Sequence, residues 1–227
     1  MTRAELRQAV ADGLNRKDLM SSPITNGWIA SATTRINTML RHRAMMKHKI
    51  IAVQSHIFAL PPDFLEAQSV AINRDVSGGI ITPGAPRGPL EYAPPAEIRT
   101  MAEDSLRREN WCGPRWFTTH GLNMELAPWK NDGQQNYQTD LWYYAKIVLP
   151  AADDATNFFL TDYPHVYINA CMTYGHRFLL EHDTAMGYEQ IFAAEIQAIN
   201  DAEENARIGR GPLIMRPPTR RLGGRHS

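Results

Sequence analysis

The sequence predicts an α+β fold, mainly helical: a four-helix core made of two N-terminal and two C-terminal helices, an antiparallel β-rich insertion between the pairs, and an extended C-terminal arm. Three observations predict it. Apolar residues recur at helical spacing near both ends, they alternate with period two through the middle, and the chain from Gly209 onward is Gly-, Pro- and Arg-rich with neither period. The segments are 1–48 for the N-terminal helices, 49–150 for the insertion, 151–208 for the C-terminal helix hairpin and 209–227 for the arm.

Thr2 with Glu5 three residues later is a capping box, and Leu6, Val10 and Leu14 follow at helical spacing, so a helix runs from about residue 3 to 14. After Ser21-Ser22-Pro23, the stripe Trp28, Ile29, Ala32, Ile36, Met39 and Leu40 predicts a second helix ending near Arg43 with a basic last turn. Ile51, Val53 and Ser55, then Gln68, Val70 and Ile72, alternate as two strands, with Leu60-Pro61-Pro62-Asp63 forcing a bend between them. Gly78-Gly79 and the stretch 82–89 read as a loop, and Pro94-Pro95-Ala96-Glu97 opens a short helix that ends before Trp111-Cys112-Gly113-Pro114.

Three further alternating runs, 115–120, 122–126 and 137–147, with turns at Gly121 and Asn131-Asp132-Gly133, predict an antiparallel meander. Pro164 starts a helix striped by Val166, Tyr167, Ala170, Cys171, Tyr174 and Phe178. His182-Asp183-Thr184 caps a second one, with Tyr188, Ile191, Phe192, Ile196, Ile199 and Ala202 roughly on one side and Gly209 as its stop.

At 227 residues, 43% apolar and 21% charged, the chain is too long for a mini-protein and too apolar for a disordered one. It lacks an apolar run long enough to span a bilayer, and its N-terminus reads as an amphipathic helix rather than a signal peptide, so a soluble protein made inside a cell is expected. Two cysteines, Cys112 and Cys171, make neither a disulfide framework nor a four-ligand zinc site.

The balance of 24 basic and 24 acidic residues conceals segregation. Residues 1–49 carry nine basic and three acidic groups, residues 207–227 carry six arginines and no acid, and the rest holds 9 basic against 21 acidic. Charge distributed in this way governs association rather than topology. The tail is an arm: its composition cannot sustain a helix or bury a core, while Leu213, Ile214, Met215 and Leu222 interrupt the arginines.

Catalytic motifs are few. Trp111-Cys112-Gly113-Pro114 begins like a thioredoxin redox motif, but Arg115 occupies the resolving position, and the segment reads as a turn. His176 and His182, six apart, do not share a helix face, and the acidic pairs Asp153-Asp154 and Glu203-Glu204 read as solvated. Neither a phosphate-binding Gly-rich loop nor a nucleophile elbow occurs, so no enzymatic role and no cofactor are expected.

Five phrases in order carry a resemblance: Ile36-Asn37 through Leu40-Arg41-His42-Arg43; the run from Phe58 to Leu65; Gly113-Pro114-Arg115-Trp116-Phe117; Leu141-Trp142-Tyr143-Tyr144 with the run from Asn157 to Leu160; and the run from Tyr163 to Ala170. Across residues 2–206 the chain resembles the head-to-tail adaptor (neck or connector) proteins of tailed bacteriophages. The loop at 82–89 and the Arg-rich tail match no phrase of that family. The resemblance implies a ring subunit, usually one of a dodecamer, that docks under the portal protein, meets tail or nozzle proteins on its other face, and surrounds the path of viral DNA. Its place would be the neck of the virion, after synthesis in the host bacterial cytoplasm.

On physical grounds the arm is expected to dock on the portal, with Arg210, Arg216, Arg220, Arg221 and Arg225 reaching carboxylates and Leu213, Ile214 and Leu222 as apolar anchors. An acidic lumen would keep DNA from sticking. The rival class is a nucleic-acid-binding protein using the N-terminal helices and the arm on phosphates; a pI near 7.1 weighs against it. A small enzyme with a site between sheet and helices is a third reading, and it lacks convergent titratable groups.

Overall fold

Thr2 opens the first helix by accepting the Glu5 N–H, while the Glu5 carboxylate accepts the Thr2 N–H, so the capping box closes as expected. The structure, a computed structural model, describes residues 1–20, 22–74, 88–106, 113–129, 137–149 and 151–208. About half of these residues are α-helical, and helices and sheets are both present, as an α+β fold requires. The helices are α1 (Arg3–Gly13), α2 (Pro23–Met39), α3 (Pro95–Leu106), α4 (Phe158–Asp162), α5 (Pro164–Phe178) and α6 (His182–Ile208). The strands are β1 (Met46–Val53), β2 (Ile57–Ala59), β3 (Phe64–Arg74), β4 (Gly88–Pro89), β5 (Glu91–Tyr92), β6 (Trp116–His120), β7 (Asn123–Ala127) and β8 (Tyr137–Ala145).

α2 stops at Met39, four residues short of Arg43, and has no basic residue in its last turn. The cause is tertiary. Beyond Leu40 the backbone donors turn toward α6: Arg41 N–H gives to Asn200 Oδ1 at 2.9 Å and Arg43 N–H to Glu203 Oε2 at 2.9 Å. The helical stripes bury Leu6 and Val10 of α1, Ile29, Ala32 and Ile36 of α2, Val166, Tyr167, Ala170 and Cys171 of α5, and Phe192 and Ile196 of α6 in one cluster. Phe159 and Leu160 of α4, an element the sequence reading missed, enter the same cluster, as do Tyr144 and Ile147 from the sheet side. Each such side chain contributes roughly 1.5–3 kcal/mol of burial.

The strands form two four-stranded sheets, ordered β1-β8-β3-β4 and β2-β7-β6-β5. The expected meander is only half present. β6 and β7 pair as an antiparallel hairpin through Gly121, whose φ of 61° suits the turn, but β8 leaves for the other sheet and runs between β1 and β3. Length explains the choice: the nine residues of β8 match the eight of β1 and the eleven of β3, whereas β6 and β7 have five each. β5 and β6 run parallel, a pairing not anticipated. Val53, Val70, Ile72 and Leu141 of one sheet meet Leu60, Leu90, Phe117, Met124 and Leu126 from the other side in a second core. α3 stands apart on β6 and β7, over a small cluster of Ala93, Ile98 and Ala127.

Candidate functional site

Every residue singled out for portal docking, Arg210, Leu213, Ile214, Arg216, Arg220, Arg221, Leu222 and Arg225, lies outside the described residues. So do Cys112, Gly78-Gly79, most of the 82–89 loop and Asn131-Asp132-Gly133. What the structure does describe is the end of the helix that precedes them. α6 ends at Ile208, and one turn and a half earlier Glu203, only 5% exposed, is held from three directions. Its carboxylate accepts the Arg43 N–H, the Arg43 Nε–H at 3.0 Å, and lies 3.3 Å from His42 Nε2. Burial raises the Glu203 pKa, yet the Arg43 N–H and guanidinium, together with His42, hold it below the usual carboxylate value.

His42 is itself buried. Its Nδ1 accepts the Ala44 N–H at 3.1 Å, which leaves the proton on Nε2, facing Glu203. The ring stacks on Phe158 and meets the edge of Tyr163. Asn200, one turn before Glu203, accepts the Arg41 N–H and donates to the Met39 carbonyl at 2.9 Å. The reading of Glu203-Glu204 as a solvated pair is therefore corrected: Glu204 is exposed, and Glu203 is the buried end of a clamp. Sequence gave one signal for it, the run Arg41-His42-Arg43, and none for its partner 160 residues away.

Three further contacts extend this junction. Asn37 of α2 accepts the Ile147 N–H at 2.7 Å and donates to the Ile147 carbonyl at 3.0 Å, tying the segment after β8 to the helices. Asp63 at the proline bend accepts from Lys47 Nζ at 2.5 Å and from Tyr143 Oη at 3.0 Å. Burial and the Asp63 hydrogen bond push the Tyr143 phenol up to about 12. Nearer the start of α6, Glu189 pairs with Arg35 and Arg177, and its pKa is lowered, first by the Arg35 hydrogen bond.

Among the described residues no group of three His, Cys, Asp or Glu side chains could hold a metal ion. His176 gives its Nδ1 side to Glu181 at 2.7 Å and stacks on Tyr188, while His182 is exposed at the start of α6. Cys171 is fully buried, and burial pushes its thiol up to about 12, away from reactivity. Four of the five phrases that carried the resemblance instead supply the junction, through Asn37 and His42, Asp63, Tyr143, and Tyr163.

Residues 1–216 match the family model described as SU10 adaptor protein. The chain belongs to the SU10 adaptor protein family. This is a phage head-to-tail adaptor family, structural rather than enzymatic. The SU10 adaptor match reaches beyond the 2–206 span of the phrases and takes in the Gly-, Pro- and Arg-rich sequence through Arg216; Arg220, Arg221, Leu222 and Arg225 lie past its end. None of the curated proteins compared matches the chain.

Proposed function

We propose that this chain is a subunit of a ring, a dodecamer by analogy with head-to-tail adaptors, that joins the capsid portal to tail or nozzle proteins in the neck of the virion. Family membership carries the reading. Viral DNA passes through the lumen without specific binding, and the acidic middle of the chain suits a channel wall that repels phosphates. No helix among the described residues is long and apolar enough to cross a membrane.

The arm is the portal-docking element in this reading. Arg210, Arg216, Arg220, Arg221 and Arg225 bind portal carboxylates, bidentately where geometry permits, and Leu213, Ile214 and Leu222 give apolar anchorage. The clamp at Glu203 supports it by fixing the point from which the arm departs, which reduces the conformational freedom lost on docking. Deleting residues 209–227 is expected to abolish attachment to purified portal rings, seen by electron microscopy, while the circular dichroism of the helices stays unchanged. Full attachment of the truncated chain would refute the portal role of the arm.

A further inference from the structure

Leu180, in the turn between α5 and α6, stands where a glycine is expected. It has φ 63°, a backbone conformation that L side chains rarely adopt, yet its side chain is 77% exposed and buries little in return. The turn around it is held firmly. Leu180 N–H gives to the Arg177 carbonyl at 3.2 Å, Glu181 N–H to the His176 carbonyl at 2.9 Å, and the Glu181 carboxylate returns to His176 Nδ1, whose ring stacks on Tyr188. Phe178, 49% exposed, lies with its ring centroid 5.6 Å from that of Trp28, and Ile24, 42% exposed, stands one turn before Trp28 on the same face of α2. Leu180, Phe178 and Ile24 thus form an apolar knob on a fixed turn. A strained backbone that holds a large apolar side chain out into water is kept where a contact outside the chain uses it.

Building on the reading of residues 209–227 as the portal-docking element, we propose that this knob is the contact for the tail or nozzle protein, with Leu180 and Phe178 seated in an apolar pocket of that partner. The direction follows from where the chain continues: α6 runs unbroken for 27 residues, about 40 Å, from the tip to Ile208, after which residue 209 begins. Docking on the portal from one end of α6 leaves the other end turned toward the tail. The chemistry of the partner follows from charge. Around the tip Arg177 is paired with Glu189, Glu181 with His176, and Arg16 with Asp18 in the turn before α2, while exposed Lys17 and Asp183 add one charge of each sign. A surface with no excess of either sign suits an apolar protein pocket and gives no hold on the phosphates of DNA. The fixed turn presents the knob already ordered, so little freedom is lost when it docks.

The test uses virus particles assembled with variant chains in place of the parent. Leu180→Gly removes the apolar group and relaxes the turn, which separates loss of contact from loss of fold. In electron micrographs it should give filled heads that carry the adaptor but hold a tail about tenfold less often than the parent, while Leu180→Met keeps its tails. Tails at the parent's frequency on Leu180→Gly particles would overturn the knob contact and leave the ring reading standing, and so would loss of the adaptor from the portal in those particles. The occupant is read separately with His182→Cys in a full chain carrying Cys112→Ser, where the other cysteine, Cys171, is buried. A maleimide should label Cys at 182 in the free chain and in portal-adaptor complexes, and should fail to label it in tailed particles. An unlabelled free chain would show that another part of the chain covers the tip, protection in portal-adaptor complexes that the portal or a second copy does, and labelling in tailed particles that nothing does; each result overturns the proposal. Parent particles without this chain in the neck would overturn the functional reading and the knob contact together.

Discussion

At Glu203 a single carboxylate is taken almost wholly out of water and compensated by a backbone N–H, a guanidinium and an imidazole. Glu203→Gln keeps the shape but loses the charge-assisted bonds, and should lower stability by about 2 kcal/mol, read as a fall in Tm. Its acid dependence has a definite sign. A carboxyl whose folded pKa lies below its unfolded one stabilises above the unfolded value, near 4.3, and that contribution is lost as pH falls through the folded pKa. The difference in Tm between Glu203→Gln and the parent should therefore shrink below about pH 4. Leu180 poses the opposite case. It closes α5 at φ 63° with its side chain 77% exposed, where glycine usually sits, and Leu180→Gly should raise stability by about 1 kcal/mol in a urea titration.

The helices pack closely enough for their glycines to report the fit. A Cβ on Gly175 of α5 would come within 2.6 Å of Leu14, one on Gly13 of α1 within 3.0 Å of the flexible end of Met172, and one on Gly187 of α6 would meet nothing. Gly175→Ala should cost about 1–3 kcal/mol, Gly13→Ala less, and Gly187→Ala should stabilise by about 0.5–1 kcal/mol, an order that parallel thermal melts would check. These elements were legible in the sequence because helical period and caps are local: the Thr2–Glu5 box, Pro23 and Pro164 mark helix starts directly. Alternation in β8 also showed which residues face inward, since Tyr137, Thr139, Leu141 and Tyr143 are all buried. It could not show which strands flank β8, because a period of two fixes a face and says nothing about neighbours. The Gly-, Pro- and Arg-rich C-terminal stretch stood out by composition. The junction did not, since Asn37, His42, Asn200 and Glu203 become meaningful only when segments 110 to 160 residues apart are folded together.

On the scale of the whole molecule, helices and sheets meet through directed polar bonds as well as through shared core. Asn37 is central, because its amide pairs with both backbone groups of Ile147 as a neighbouring strand would. Asn37→Ala should cost about 1–3 kcal/mol and broaden or split the single calorimetric transition, whereas an unaltered sharp transition would show that apolar contact alone joins the two parts. The same seam has a mechanical side. Asn37 grips the exit of β8, Asp63 braces Lys47 and Tyr143, and Glu203 pins the last helix to the turn before β1. A push or twist delivered to the strands is therefore expected to reach the far end of α6 through these directed bonds as well as through the shared core.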